Sequence, residues 1–247
     1  MSKNNSEKFN IQDKEYYIPY HHLVNFQHFS NAWIMPWGQE YFTYVKKVFD
    51  LSKKYNPKSI IDIGCGDGKV GFELEKIFGN KVKNVGVDLS ERAILLAKAL
   101  NWGNRVEFFN YSISEISGQF DMALLIEVLE HISDHDLELF VNEVRNKIVQ
   151  GGILIVTVPS DCIPVTEKHY RHYNKNLLEK NLIGFELLEI HYLVKKGLLF
   201  EVLNRLIRKF SSITFIRNVF FNLYQIFCAK GNKKSHQHIV AVYKRIQ

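Results

Sequence analysis

No uncharged apolar run in the 247 residues reaches the roughly 18 residues that a membrane-spanning helix needs, which excludes a spanning helix. Met1 to Lys14 is polar and lacks the apolar stretch of a secretory leader. Cysteine is scarce: Cys65, Cys162 and Cys228 are odd in number, far apart and form no CxxC pair. A disulfide framework and a cysteine zinc site are thereby excluded, and a reducing compartment is implied. The expected location is the cytoplasm, the inner membrane face included. Internal repeats and low-complexity linkers are missing as well, so neither a solenoid nor a beaded array of domains is expected.

What is present is enough for one core. Hydrophobic residues make up 46% of the chain, which suits a single α/β domain with additions. The net charge of +6 and pI near 9.0 are compatible with an anionic partner and equally with plain solubility. Residues 1–38 read as an N-terminal tail and lid segment. Its first 14 residues look weakly held, and residues 16–37 are crowded with aromatics and with His21, His22 and His28. Those histidines fit no common metal spacing, so polar edges of an aromatic lid are the better reading.

Residues 39–247 read as one domain. A helical period runs from Tyr41 to Leu51 and ends at Asn56-Pro57. Strand-like runs follow at 59–63, 82–88, 105–109, 120–126 and 153–158, with helical stretches between them, one of them capped by Ser90. Ser133 is expected to cap a helix whose apolar stripe runs from Leu137 through Val144 to Ile148, with Gly151-Gly152 breaking it. Alternation at this rhythm predicts a doubly wound, mostly parallel α/β sheet. Beyond it lie a short helix at 174–181, a strand at 185–194, a helical insertion at about 198–235 and a last strand at 238–243.

The most informative stretch is Ser59-Ile-Ile-Asp62-Ile-Gly64-Cys-Gly66-Asp-Gly68-Lys-Val70. A β-branched run ends in an acid, meets a glycine at every second position, and enters a helix. Such a turn presents bare backbone to a ligand. A dinucleotide is one option, since Gly66, Gly68 and Gly71 satisfy G-x-G-x-x-G, although that match starts late for a turn beginning at Gly64. A ligand with a cationic end is the other, because Asp62 stands directly before the turn. Asp88, at the end of the second strand, can accept from ribose hydroxyls in either case.

Four segments carry a resemblance: Ile61-Asp-Ile-Gly-Cys-Gly-Asp-Gly68, Val87-Asp-Leu-Ser90, Phe120-Asp-Met-Ala-Leu-Leu-Ile-Glu-Val-Leu-Glu-His-Ile132 and Gly151-Gly-Ile-Leu-Ile-Val-Thr-Val-Pro159. In this order they resemble the motifs of class I S-adenosylmethionine-dependent methyltransferases over about residues 39–195. The likeness is greatest to the branch of ubiquinone-biosynthesis and sugar or natural-product O-methyltransferases. It implies a Rossmann-like methyltransferase fold and S-adenosyl-L-methionine as cofactor. By position, Asp62, Gly64, Gly66 and Gly68 would hold the methionine part, Asp88 the ribose and Leu89 the adenine. Asn110 stands where the family often has an Asp near the adenine amino group.

Catalytic candidates are Glu127 and His131 at the end of the fourth strand, His131 having a suitable reference pKa for a base. Shaping the pocket is the competing role for that pair. Glu127-x-x-Glu130-His131 with a later histidine resembles the metal site of small-RNA 3′-end 2′-O-methyltransferases. It implies a divalent ion on Glu127, Glu130, His131 and His172, with His169 as the other choice of fourth ligand. His169, Arg171 and His172 lie just past the fifth strand, where open α/β sheets bind acceptors; a solvated turn with an internal salt bridge is the competing reading. The acceptor classes expected are a small molecule, a saccharide or a glycolipid, with nucleic acid ranked lower and a non-catalytic scaffold last. Residues 213–229 are aromatic and nearly uncharged, with basic residues around them. Core packing or a lid ranks first for this stretch, a homodimer interface second and an anionic membrane surface third.

Overall fold

The computed structural model describes residues 7–14 and 38–246; the aromatic segment at 16–37 lies outside the described residues. After a short helix α1 (Glu7–Asp13) and a long helix α2 (Gly38–Tyr55), the chain alternates in the expected way. β1 (Ser59–Ile63), α3 (Lys69–Phe78), β2 (Lys83–Val87), α4 (Glu91–Leu100) and β3 (Glu107–Phe109) form one half. β4 (Phe120–Ile126), α5 (Leu137–Asn146), β5 (Ile148–Pro159), α6 (Lys175–Asn181) and β6 (Phe185–Leu193) continue it. A helical hairpin, α7 (Leu198–Lys209) and α8 (Thr214–Phe227), precedes β7 (His238–Arg245).

The strands make one sheet in the order β3-β2-β1-β4-β5-β7-β6, and β7 runs antiparallel to both neighbours. The order reverses between β1 and β4, which opens a crevice at the carboxyl edge. Central strands buried on both faces need apolar residues on both, and β4 satisfies this: Met122, Ala123, Leu124 and Leu125 are all fully buried. On one face, Ile61, Val87, Leu125, Val156 and Ala241 pack under α5 and α6. On the other, Ile60, Met122, Leu124, Ile155 and Val242 pack under α2, α3, α7 and α8.

The insertion is thus part of the core. Phe200, Leu203 and Ile207 of α7, with Phe221 and Tyr224 of α8, join the cluster built on α2. The Phe42 and Phe221 rings meet edge-on at 5.2 Å, a contact worth about 0.5–1.5 kcal/mol beyond its buried area.

Local chemistry explains most boundaries. Ser90 caps α4 by accepting from the Ala93 N–H, and Asn174 caps α6 by accepting from Leu177. Two expectations need correction. Ser133 closes a turn with Asp136 and does not cap α5 directly, because its hydroxyl accepts from the Asp136 N–H three residues before the helix settles. Ile148 belongs to β5, not to the stripe of α5: the strand starts at Ile148 and takes Gly151 in a left-handed conformation while register shifts between Phe120 and Met122. Residues 7–13 also differ from the weakly held tail expected there, while residues 1–6 lie outside the described residues. Lys8 of α1 donates to the carbonyls of Glu167 and His169, and Asp13 pairs with Arg92 and the Ser90 hydroxyl. These are tertiary contacts between residues some 80 to 160 positions apart, which no local pattern announces.

Candidate active site

At the carboxyl end of β1 the backbone turns on glycines. Gly64 and Cys65 both donate to the Val87 carbonyl, which ties the turn to β2. Gly64 has φ +75° and a Cβ there would lie 2.7 Å from a Val128 methyl; Gly68 has φ +72° and a Cβ would lie 2.6 Å from the Phe108 ring. Left-handed backbone and lack of room together demand glycine at both positions. Gly66 between them donates its N–H to Asp88 Oδ2 at 2.9 Å, and Asp88 Oδ1 accepts from Ser90 N at 2.8 Å.

The electrostatics of this turn are one-sided. Asp62 is buried and burial, then the charges of Asp88 and Asp67, push its carboxyl up to about 7. Burial also raises Asp67, to about 6, against the pull of the Lys69 backbone and side chain. Burial raises Asp88 too, against its bonds from Ser90 and Gly66. Asp62 Oδ2 has no hydrogen-bond partner among the described residues. A buried, unpaired carboxylate oxygen beside two more acids is the environment in which a cationic ligand is favoured. The donor set therefore fits an ammonium- and sulfonium-bearing cofactor laid on the glycine backbone. Asn110 spends its amide N–H groups on the Asp88 and Leu89 carbonyls, at 3.0 and 2.9 Å, and so fixes the segment that follows β2.

Across the crevice lies a second constellation. Glu127, next after β4, is held at φ +54°, a strained conformation for a residue with a side chain. Thr157 over-determines it: its hydroxyl donates to Glu127 Oε1 at 2.9 Å and accepts from the Glu127 N–H at 3.1 Å. Glu127 Oε2 and Glu40 Oε2 each stand 3.4 Å from opposite nitrogens of His238. Burial alone would discharge His238, but the two carboxylates, Glu127 first, carry it up to about 10. Burial likewise opposes the charge on Glu127, yet the His238 cation holds it below the ordinary range. The pair is ionic at neutral pH.

Glu130 is fully buried and neither carboxylate oxygen has a partner among the described residues. Burial, with Glu127 next, pushes its carboxyl well up. Potential ligand atoms of Glu130, His131 and His169 all lie within 4.8 Å of one another. The histidine tautomers follow from their acceptors. A carbonyl can only accept, so His131 Nδ1 donates to Lys168 O at 3.0 Å and His172 Nδ1 donates to Ile163 O at 3.0 Å. His169 Nδ1 must then donate to His172 Nε2 at 2.8 Å. Burial, aided by His131 and His172, drives His169 down to about 3, so it is neutral. His169 is left with Nε2 as its basic nitrogen.

This geometry redistributes the sequence candidates. His169, not His172, joins Glu130 and His131, and His172 orients it from behind. Glu127 stands apart from that cluster, engaged by Thr157 and His238. Arg171 is turned inward: its guanidinium donates twice to Asp134 and once to the Leu129 carbonyl, bracing the Leu129–His131 turn instead of facing an acceptor. Several residues escaped the sequence reading. Glu40 and Tyr44 on α2, Thr157 on β5 and His238 on β7 meet only in three dimensions, and the Tyr44 and His238 rings lie 4.7 Å apart. Tyr41, in edge contact with Tyr44, lies near the turn: burial, then Asp67 and Asp62, raise its hydroxyl.

Comparison with known proteins agrees with this geometry. Residues 60–152 match the model of a methyltransferase domain, and these residues contain the turn, Asp88 and the Glu127–His131 segment. Over these residues the chain carries a methyltransferase domain. It is 32% identical over 121 residues to the ubiquinone biosynthesis O-methyltransferase of Azorhizobium caulinodans, which spans 45% of the chain and 46% of that protein. It is 27% identical over 133 residues to the small RNA 2′-O-methyltransferase of Mus musculus, spanning 48% of the chain and 33% of that protein. The chain thus spans less than half the length of these curated relatives. The crystal structure of the N-methyltransferase NodS of Bradyrhizobium japonicum WM9 superposes with a TM-score of 0.63, covering 98% of this chain and all of that one at 13% identity. That likeness shows a shared fold.

Proposed function

We propose that the chain is an S-adenosylmethionine-dependent methyltransferase acting on an oxygen of a small-molecule, saccharide or lipid-linked acceptor. The observation that carries this reading is the buried, unpartnered Asp62 oxygen beside the two obligatory glycines of the β1–α3 turn. When bound, the cofactor supplies a methyl group already activated on a positively charged sulfur. The chain's own work is then positional. Asp62 would accept from the ammonium of the methionine part, with Gly64, Gly66 and Gly68 as the backbone that would hold it. Asp88 would accept from the ribose and Leu89 would pack on the adenine, while Asn110 holds the Asp88–Leu89 backbone. His131, with Nδ1 anchored on Lys168, offers Nε2 to take the proton of an acceptor hydroxyl. Calorimetry with S-adenosylhomocysteine tests the cofactor half. Label from S-adenosylmethionine, followed into fractionated cell extract, tests the acceptor half. Absence of any binding signal for S-adenosylhomocysteine would sink the reading.

A second reading is supported by the Glu130–His131–His169 cluster: transfer to a vicinal hydroxyl with a divalent cation at that cluster, the RNA 3′ terminus being one such acceptor. A fully buried carboxylate with no partner among the described residues and two imidazoles with ligand atoms within 4.8 Å of it make a borderline-hard donor set, and His172 is the kind of outer hydrogen bond that orients a ligating histidine such as His169. A cation there would hold acceptor oxygens and lower the pKa of one of them. Titration with Mn²⁺, followed by its paramagnetic signal, should show one site that Glu130→Gln abolishes. An unchanged signal in that variant would remove the metal.

A further inference from the structure

The chain's positive charge is confined to one region. Residues 202–247 contain nine Lys and Arg and no Asp or Glu, whereas the preceding 201 residues contain 23 Lys and Arg against 26 Asp and Glu. The α7–α8 hairpin lies within the basic part from Val202 onward, and the first turn of α7 carries one exposed acid, Glu201. Both helices bury one stripe in the core: Phe200, Leu203 and Ile207 on α7, Phe221 and Tyr224 on α8. Helical spacing turns the opposite stripes outward, away from the sheet. On α8 that outward stripe is apolar, with Phe215 79%, Val219 42% and Ile226 67% exposed, Phe227 beside them at 57% and the uncharged Thr214, Asn218 and Asn222 as exposed polar neighbours. On α7 the outward line begins with Leu198, 84% exposed, and Val202, and ends in the exposed cations Arg205 and Lys209.

We propose that the outer face of the α7–α8 hairpin is a docking surface for an anionic lipid bilayer. The charge decides the occupant. A second copy of the chain on this face would set two basic surfaces, each with Glu201 as its one carboxylate, against each other, whereas anionic headgroups answer Arg205, Arg208 and Lys209 while Phe215 and Ile226 enter the headgroup–acyl boundary. The surface also borders the site. The loop with exposed Lys230, Lys233 and Lys234 leads from α8 to β7. Gln237 accepts from the Ser160 N–H at 2.7 Å, and His236 Nδ1 lies 3.7 Å from Cys162 Sγ, just past β5 at the acceptor edge. A bilayer on the hairpin therefore meets the edge where an acceptor enters. The docking itself is independent of the methyltransferase reading.

The test is flotation of the full chain with phosphatidylcholine vesicles, with and without phosphatidylglycerol, at low and raised salt. The expected result is binding only to the phosphatidylglycerol vesicles, weakened by salt. F215S/I226S and R205E/K209E should each lower the bound fraction at least tenfold, with circular dichroism melts and affinity for S-adenosylhomocysteine unchanged. No flotation with phosphatidylglycerol vesicles at low salt would overturn the inference, as would equal binding by F215S/I226S. Light scattering closes the remaining route: a stable dimer that F215S/I226S dissolves would assign the face to a second copy.

Discussion

The two sides of the crevice are built in different ways. On the turn side, Asp62, Gly64, Gly66, Gly68 and Asp88 come from residues 62–88, one β1–turn–α3–β2 passage, and their partners are one another: Gly66 donates to Asp88 and Gly64 to Val87. On the acceptor side, Glu40, Glu127, Thr157 and His238 come from four separate elements, and Glu40 and His238 are 198 residues apart in sequence. The turn side is rich in acids awaiting a cation; the acceptor side carries its own cation, His238, pinned between two carboxylates. The first is a seat preformed by backbone geometry, and the second is held by long-range pairs. Substitutions on the turn side should therefore read out in ligand affinity as well as in stability, and on the acceptor side in stability through coupled pairs.

The largest expected effect comes from overfilling the seat. Gly68→Val must adopt a left-handed backbone, at roughly 1–3 kcal/mol. It must also push aside the Phe108 ring, 2.6 Å from the new Cβ, which overpacking studies put at about 1–3 kcal/mol. Melts followed by circular dichroism should fall by roughly 8–16 °C for a combined loss of about 4 kcal/mol in a chain of this size, and calorimetry should detect no S-adenosylhomocysteine binding. A variant that melts like the parent would show that the turn is not so constrained.

Next is the pinned cation. His238→Ala takes from the half-buried Glu127 the cation that holds it ionised and leaves Thr157 as its hydrogen-bond donor, a loss of up to about 3 kcal/mol for breaking a largely buried pair from one side. Removing both partners should cost less than the sum of the single changes, with a coupling of roughly 0.5–3 kcal/mol. Thermal or denaturant melts of H238A, E127A and the double variant measure it. Strict additivity would mean the 3.4 Å contact carries nothing.

This contrast also explains what could be read from the residues alone. The order of strands, the cap at Ser90 and the glycine turn are written in short-range patterns: β-branched runs, an Asp before spaced glycines, a serine before an apolar helix. The pairing of Glu127 with His238 has no such signature, because β7 reaches β5 only after the α7–α8 insertion. The choice of His169 over His172 as neighbour of Glu130 depends on a tautomer chain that ends on the Ile163 carbonyl. Arg171 likewise resembled an anion binder until Asp134 and the Leu129 carbonyl claimed its donors. The boundary between α5 and β5 was hidden because Ile148 continues the helix's apolar spacing while serving as the first residue of the strand.

A third expected effect concerns the acid of the seat. Asp62 is raised from 3.8 to about 7 in the folded chain. Over that interval the folded state keeps a proton that the unfolded state has lost, so this group's contribution to stability falls as pH rises through it. A cationic ligand needs the carboxylate, so its binding changes in the opposite sense. Affinity for S-adenosylhomocysteine should rise roughly tenfold between about pH 6 and pH 8 and then level off. Calorimetry across that range checks it, and Asp62→Asn should bind more weakly and without the pH dependence. A flat profile in the parent would mean Asp62 does not face the ligand's cation.

The smallest effect tests how the two sides are joined. Ser90 belongs to the turn side, where it caps α4, but its hydroxyl also meets Asp13 of α1. The other end of α1 reaches the acceptor side through Lys8, bonded to the carbonyls of Glu167 and His169. Ser90→Ala removes both the cap and the strap and should cost about 1 kcal/mol. Ser90→Asp separates them, because Asp caps a helix as well as Ser does but repels Asp13. In Ser90→Asp the melting temperature should stay near that of the parent while amide exchange of residues 7–13 speeds up. If those amides stay as protected as in the parent, α1 is held from the Lys8 end alone, and the strap belongs to the acceptor side.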